Sequence, residues 1–242
     1  MDIKIHSVCL FDIEGTLIPV NFVNEVLTPY ILQKVPSFVD KFGLEKDVAN
    51  FLIQENETDF KKGLYAEKIS RNKQIIKPPT ISYIQHIIKI DKNCMALAMI
   101  KEKILRHGCE AKEINWKVFT DVPKFLQYLK KYYIRVGIYS IDDVDSQISL
   151  FKYTSLGDMT PYISHYFDLK IGAKTDSSSY TNIARAIKTT PKKIAFFTDS
   201  LEEAETAKKA GLHTIVVKRP GSKGHGMHLH ESIMDFMPLM VD

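Results

Sequence analysis

The chain has 242 residues, 45% of them hydrophobic, enough to bury a sizeable core as one large domain or as a core with an inserted subdomain. Its 33 basic and 29 acidic residues leave a net charge of +4, too slight a surplus to imply nucleic acid yet no obstacle to a small anionic substrate. No apolar run reaches the ~18 residues that cross a bilayer, and Asp2 beside a short apolar stretch argues against a signal peptide, so neither a membrane nor a secretory route is expected.

Residues 7–12 read as a strand, because Val8-Cys9-Leu10-Phe11 is an unbroken apolar run that stops at Asp12-Ile13-Glu14-Gly15-Thr16. From Phe22 to about Lys117 the chain reads as helical. Val23, Val26, Leu27, Tyr30 and Ile31 fall at helical spacing, and 47–60 and 81–90 are amphipathic, with Pro78-Pro79 breaking the run and Gly108 marking a stop. Asp121-Val122-Pro123 is a helix start with proline in the first turn. Beyond it the pattern predicts a helix over 123–131, a strand over 134–139, a helix over about 143–153 and a short strand over 167–171. A helix over 178–188, a strand over 193–198, a helix over 201–210 and a strand over 214–217 follow. Strands alternating with helices of this length predict an α/β fold of βαβ units around a parallel sheet. Val8–Phe11 must join that sheet, which leaves a long helical block inserted between the first strand and the rest. The Gly- and His-rich stretch after Gly221 is expected to run over the surface and end in a short helix.

Cys9, Cys94 and Cys109 are odd in number and widely spaced, which fits a reducing compartment: a cytoplasmic protein, with passive access to the nucleus. The chemistry gathers at strand ends. Asp12 and Glu14 share a face by the two-residue period of a strand, while Ile13 points the other way. Two carboxylates side by side repel unless a cation or a proton sits between them, and a hard divalent ion such as Mg²⁺ is the natural remedy. The predicted strand at 134–139 ends at Ser140, the strand at 193–198 ends at Thr198-Asp199, and Lys174 follows the short strand. In open α/β sheets these carboxyl-terminal ends collect along one edge, where ligands bind. Taken singly, Ser140 also reads as a helix cap, Lys174 as a surface lysine, and Asp199 with Glu202 and Glu203 as the acidic first turn of a helix.

In this order and spacing the chain resembles the enolase-phosphatase branch of the haloacid dehalogenase-like hydrolases, the phosphatases of methionine salvage. The resemblance runs over nearly the whole length: Asp12-Ile13-Glu14-Gly15-Thr16, Pro19, Phe22-Val23, Val26-Leu27 and Pro29-Tyr30, then Phe167-Asp168, Lys170-Ile171-Gly172, Lys174, Ser177, Ser179-Tyr180, Thr198-Asp199 and Arg219-Pro220-Gly221. It implies a Rossmann-like core, 1–20 and 119–242, with a helical cap over 21–118. It also implies Asp12 as nucleophile, forming an aspartyl-phosphate, and Glu14 as acid and base. One Mg²⁺ per subunit would be held by Asp12, Asp199 and the Glu14 carbonyl. Lys174, Ser140, the amide of Ile141 and Thr16 would then bind the phosphate of a small phosphorylated metabolite, in a monomer without nucleic-acid or membrane partners. The implied reaction turns 2,3-diketo-5-methylthiopentyl-1-phosphate into acireductone. Where the family carries Ser-Ser-Gly or Ser-Asn-Gly, this chain has Ser140-Ile141-Asp142, which loses a permissive glycine and adds a charge. Asp142 would oppose a phosphate if it faces inward, or cap the next helix harmlessly if it faces out. That departure keeps two alternatives open, a phosphatase of another small phosphometabolite and a catalytically weak binding homologue. His225, His228 and His230 lack a further ligand at zinc-finger spacing and are read as no metal site.

Overall fold

The computed structural model describes residues 2–69, 77–90, 92, 94–221, 226 and 228–241. In chain order its main elements are β1 (Val8–Phe11), α1 (Thr28–Phe42), α2 (Lys46–Lys61), α3 (Lys77–Lys89), α4 (Met95–Glu110), α5 (Val122–Lys131) and β2 (Arg135–Tyr139). Then come α6 (Val144–Lys152), β3 (His165–Phe167), α7 (Ser177–Ala186), β4 (Ile194–Thr198), α8 (Leu201–Lys209), β5 (His213–Val217) and β6 (Glu231–Ile233). The chain divides into two compact units, Met1–Phe22 with Asn115–Asp242, and Val23–Ile114.

The first unit is built on a sheet of order β3-β2-β1-β4-β5-β6 whose pairings are all parallel. β1 lies between β2 and β4 and is buried at every residue, as a strand covered on both faces must be. Its side chains alternate between two cores. Cys9 and Phe11 join one with Ala195 and Phe197 of β4, while Val8 and Leu10 join the other with Ile194 and Phe196. The unbroken apolar run of the sequence is thus two alternating sets read together. Phe11 stacks on Phe197 at 4.9 Å and meets Phe125 and Phe236 edge-on, which ties β1 to α5 and to the chain's end.

The second unit is helical. α1 packs on α3 and α4, and α2 on α4, around Ile31, Val35, Leu52, Ile84, Ile87 and Ile100. One buried polar knot sits in it: Asp59 accepts from Tyr83 at 2.7 Å and pairs with Lys92.

Four expectations need correction. Gly108 does not stop a helix; it is buried inside α4, where an added Cβ would overlap the Tyr30 hydroxyl and the Ile114 methyl. Pro78-Pro79 stand in the first turn of α3, where proline costs no helical hydrogen bond, so they open that helix. The strand near 167–171 lies earlier: β3 ends at Phe167, and Asp168 caps a 3₁₀ turn over Leu169–Ile171 by accepting the Lys170 amide. The tail is more than a surface excursion: β6 extends the sheet and Phe236 is wholly buried, ahead of the expected short helix, a 3₁₀ turn over Met237–Leu239. His225 lies outside the described residues; His230 is buried between Thr214, at 3.0 Å, and Glu205, at 2.6 Å.

At the amino-terminal edge of the sheet His6 stacks on His213, their nitrogens 3.0 Å apart, and His213 reaches Glu231 at 3.1 Å. Burial first, and the neighbouring His213 second, hold His6 below its ordinary pKa. The unfolded chain therefore binds a proton near pH 6.5 that the folded chain refuses until lower pH, so this contribution is complete at neutral pH and shrinks on acidification. The melting temperature of wild type is expected to fall more between pH 7 and 5.5 than that of His6→Gln, as thermal melts across that range will show. In α4, Gly108→Ala gains helix propensity but overfills its site, and urea titration should show a net loss of about 1–3 kcal/mol.

Candidate active site

The site grows from the carboxyl end of β1. The Asp12 amide donates to Phe197 O at 2.9 Å, which extends the pairing with β4 by one residue. The chain then tightens: the Ile13 carbonyl accepts from Leu17 N at 2.8 Å and Ile18 N at 3.1 Å, and Gly15 N donates to Ile18 O at 2.8 Å. Ile13 is buried in the core, while Asp12 and Glu14 line a cavity of about 480 Å³. Gly15 has φ +71°, a left-handed conformation, and any Cβ there would overlap the Asp199 carboxylate. Glycine is needed twice over, for the turn and for the close approach of a carboxylate from the end of β4.

Lys174 enters from the segment before α7. Its ammonium pairs with Asp12 and, at 3.2 Å, with Glu203, and its carbonyl accepts from the Tyr180 hydroxyl at 2.8 Å. Burial alone would lower its pKa, yet Asp12 and Glu203 overcome that and push it up to about 12. Glu203 belongs to the site although its sequence context marked only an acidic first turn. The available signal was Ser200-Leu201-Glu202-Glu203, a capping-box pattern. Only half of that box forms: Ser200 Oγ accepts the Glu203 amide at 3.3 Å, but the Glu203 carboxylate turns inward to Thr198 Oγ1 at 2.8 Å and to Lys174. Burial, with Asp12 next to it, raises Glu203 to about 7.

The cavity also takes in Ser140, Ile141, Asp142 and Asp199, so the expected strand-end residues do meet. Ile141 is 68% exposed at its rim. The donors are arranged otherwise than expected. Ser140 Oγ donates to Asp142 at 3.0 Å, and Asp143 rather than Asp142 caps α6 by accepting the Ser146 amide at 3.0 Å. Thr16 does not line the cavity; it is fully buried, and its hydroxyl donates to Asp12 at 3.4 Å. Five acidic residues, Asp12, Glu14, Asp142, Asp199 and Glu203, share this cavity with Lys174. Loss of water, then the charges of Asp142, Asp12 and Asp199, push Glu14 up to about 7. Such a carboxyl exchanges its proton near neutrality, as an acid and base must.

A family profile described as haloacid dehalogenase-like hydrolase matches residues 6–211. The enolase-phosphatase E1 of Leptospira borgpetersenii is 34% identical over 236 residues, with 98% of each chain covered. The chain belongs to this enolase-phosphatase family of haloacid dehalogenase-like hydrolases. The enolase-phosphatase E1 of Drosophila simulans is 31% identical, covering 98% of this chain and 93% of that one. Among solved structures, the UTR4 protein of Saccharomyces cerevisiae matches with a TM-score of 0.79 at 29% identity, over 97% of this chain and all of the other. The resemblance read from the ordered sequence blocks is borne out, and so is the Rossmann-like parallel core.

In this enolase-phosphatase family member the loop after β1 is held from behind by Arg219. Its guanidinium donates to Thr16 O at 3.0 Å and to both oxygens of Asp121 at 3.0 and 2.9 Å, between the rings of Phe119 and Phe236. Asp121 also accepts the Phe236 amide at 2.8 Å, so it anchors the loop and the chain's end rather than capping α5. Arg219→Met strands a buried carboxylate and is expected to cost about 3–5 kcal/mol in chemical denaturation.

Proposed function

We propose that the chain is a Mg²⁺-dependent enolase-phosphatase that converts 2,3-diketo-5-methylthiopentyl-1-phosphate to acireductone in methionine salvage. The observation that carries this reading is the meeting of Asp12, Glu14, Lys174 and Asp199 in one cavity of a family member. Asp12 attacks phosphorus and becomes an aspartyl-phosphate, which water then hydrolyses. Glu14 gives its proton to the leaving oxygen and takes one from that water, a double task suited to a carboxyl near 7. Lys174, already charged and paired with Asp12, neutralises phosphoryl oxygens.

The donor set suits a small hard cation. Among the described residues no three His, Cys, Asp or Glu side chains converge as a metal-holding group, but Mg²⁺ is commonly held by one or two carboxylates with water for the rest. Asp12 and Asp199, with the Glu14 carbonyl, would hold it. The gathering of Asp12, Glu14, Asp142, Asp199 and Glu203 in one cavity is the observation that fits such a charge. Once bound, the ion would screen the anionic nucleophile from the anionic phosphate. A cytoplasmic setting accompanies this reading, on the odd number and wide spacing of Cys9, Cys94 and Cys109. No helix of the described residues is long and apolar enough to cross a membrane.

A second reading keeps the chemistry and changes the small phosphorylated metabolite; the inward Asp142 favours it. Acireductone formation with Mg²⁺, followed for wild type and Asp12→Asn, tests the first reading: the variant should lose about 10³-fold or more in kcat. Activity unchanged by the substitution discards Asp12 as nucleophile. A diketo substrate ranking low in a panel of phosphate esters selects the second reading.

A further inference from the structure

Asp142 stands where a permissive glycine would leave room, and the loop that carries it is firmly built. Ser140 N donates to Phe167 O at 3.1 Å, continuing the pairing of β2 with β3. The wholly buried Gln147 donates to the Asp142 carbonyl at 2.7 Å and to Phe167 O at 2.9 Å, which pins the main chain on both sides. Asp143 takes the helix-capping task, so Asp142 has no local duty on α6. Its carboxyl instead holds Ser140: Ser140 Oγ donates to Asp142 Oδ2 at 3.0 Å, while Asp142 N donates to Ser140 Oγ at 3.2 Å.

A serine hydroxyl has one proton. While Asp142 accepts it, Ser140 has none to give a phosphoryl oxygen. The same carboxylate adds negative charge to a cavity that already holds Asp12, Glu14, Asp199 and Glu203, and whose lysine is engaged by Asp12 and Glu203. An arriving phosphate must therefore take the Ser140 proton from Asp142 and tolerate a like charge beside it.

We propose that Asp142 is a specificity-determining residue, an anionic latch on Ser140 that weakens the cavity's hold on phosphate itself. This proposal rests on the phosphatase reading above. Its consequence is that the phosphate contributes less of the binding, and the organic part of the substrate must contribute more. Simple phosphate esters then bind poorly, and esters whose remaining groups make good contacts are selected.

Calorimetric titration of the full chain with inorganic phosphate, in the presence of Mg²⁺, tests it. Asp142→Asn removes the charge and Asp142→Gly removes the side chain; both should bind phosphate about tenfold tighter than wild type, the effect of one close like charge in a partly wet cavity. Ser140→Ala should cost more affinity in the Asp142→Gly background than in wild type, because only there is the hydroxyl proton spent on phosphate. Phosphate binding no tighter in both Asp142 variants, or an equal cost of Ser140→Ala in the two backgrounds, overturns the latch. Failure of wild type and variants alike to hydrolyse any phosphate ester counts against the phosphatase reading instead, while the order of phosphate affinities still decides the role of Asp142.

Discussion

One ammonium carries much of the organisation of this site. Lys174 is 7% exposed, and Asp12 and Glu203 against it offset the cost that burial sets on its charge. Each of those carboxylates in turn would be costly to bury without the lysine, so the three groups depend on one another for their place in the site. That mutual dependence links the end of β1 and the first turn of α8 to the segment before α7. It also explains why Glu203, one turn into α8, is drawn off the helix end and into the cavity.

Around this pair the scaffold supplies position rather than chemistry. Gly15 lets the loop turn back on itself and leaves the volume that the Asp199 carboxylate occupies. Arg219 and Asp121 grip the same loop from its buried side through the Thr16 carbonyl. Thr16, Arg219 and Asp121 do not line the cavity; Thr16 donates to Asp12, and Arg219, itself paired with Asp121, donates to the Thr16 carbonyl. The paired rings of Phe11, Phe125, Phe197 and Phe236 fill the core beneath, so the loop rests on close-packed aromatic surface.

The excess of acid in the cavity has two separable consequences. After burial it raises Glu14 to about 7, and it supplies carboxylates of the kind that the proposed divalent cation would need. It also places Asp142 where, on the reading proposed above, a phosphate would meet a like charge.

Much of the site was legible along the chain. A parallel sheet sends its strand ends to one edge, so Asp12, Glu14, Ser140 and Asp199 had to meet once the strands were recognised, and β1 and β4 were recognisable because burial on both faces demands unbroken apolar runs. Glu203 was hidden because an acid in the first turn of a helix is favoured whatever its fate. β6 was hidden because Glu231-Ser232-Ile233 is a short edge strand with little apolar signature, stabilised by pairing with β5. The residue types and their order along the chain determined the fold class, the family and most of the groups that meet at the sheet edge. Tertiary structure alone decided that Thr16 and Ser140 spend their hydroxyls on Asp12 and Asp142, that Gly108 serves packing, and that Arg219 braces the loop. Those outcomes depend on which of several possible partners lies within hydrogen-bonding or van der Waals reach, a distance between remote segments that no local pattern encodes.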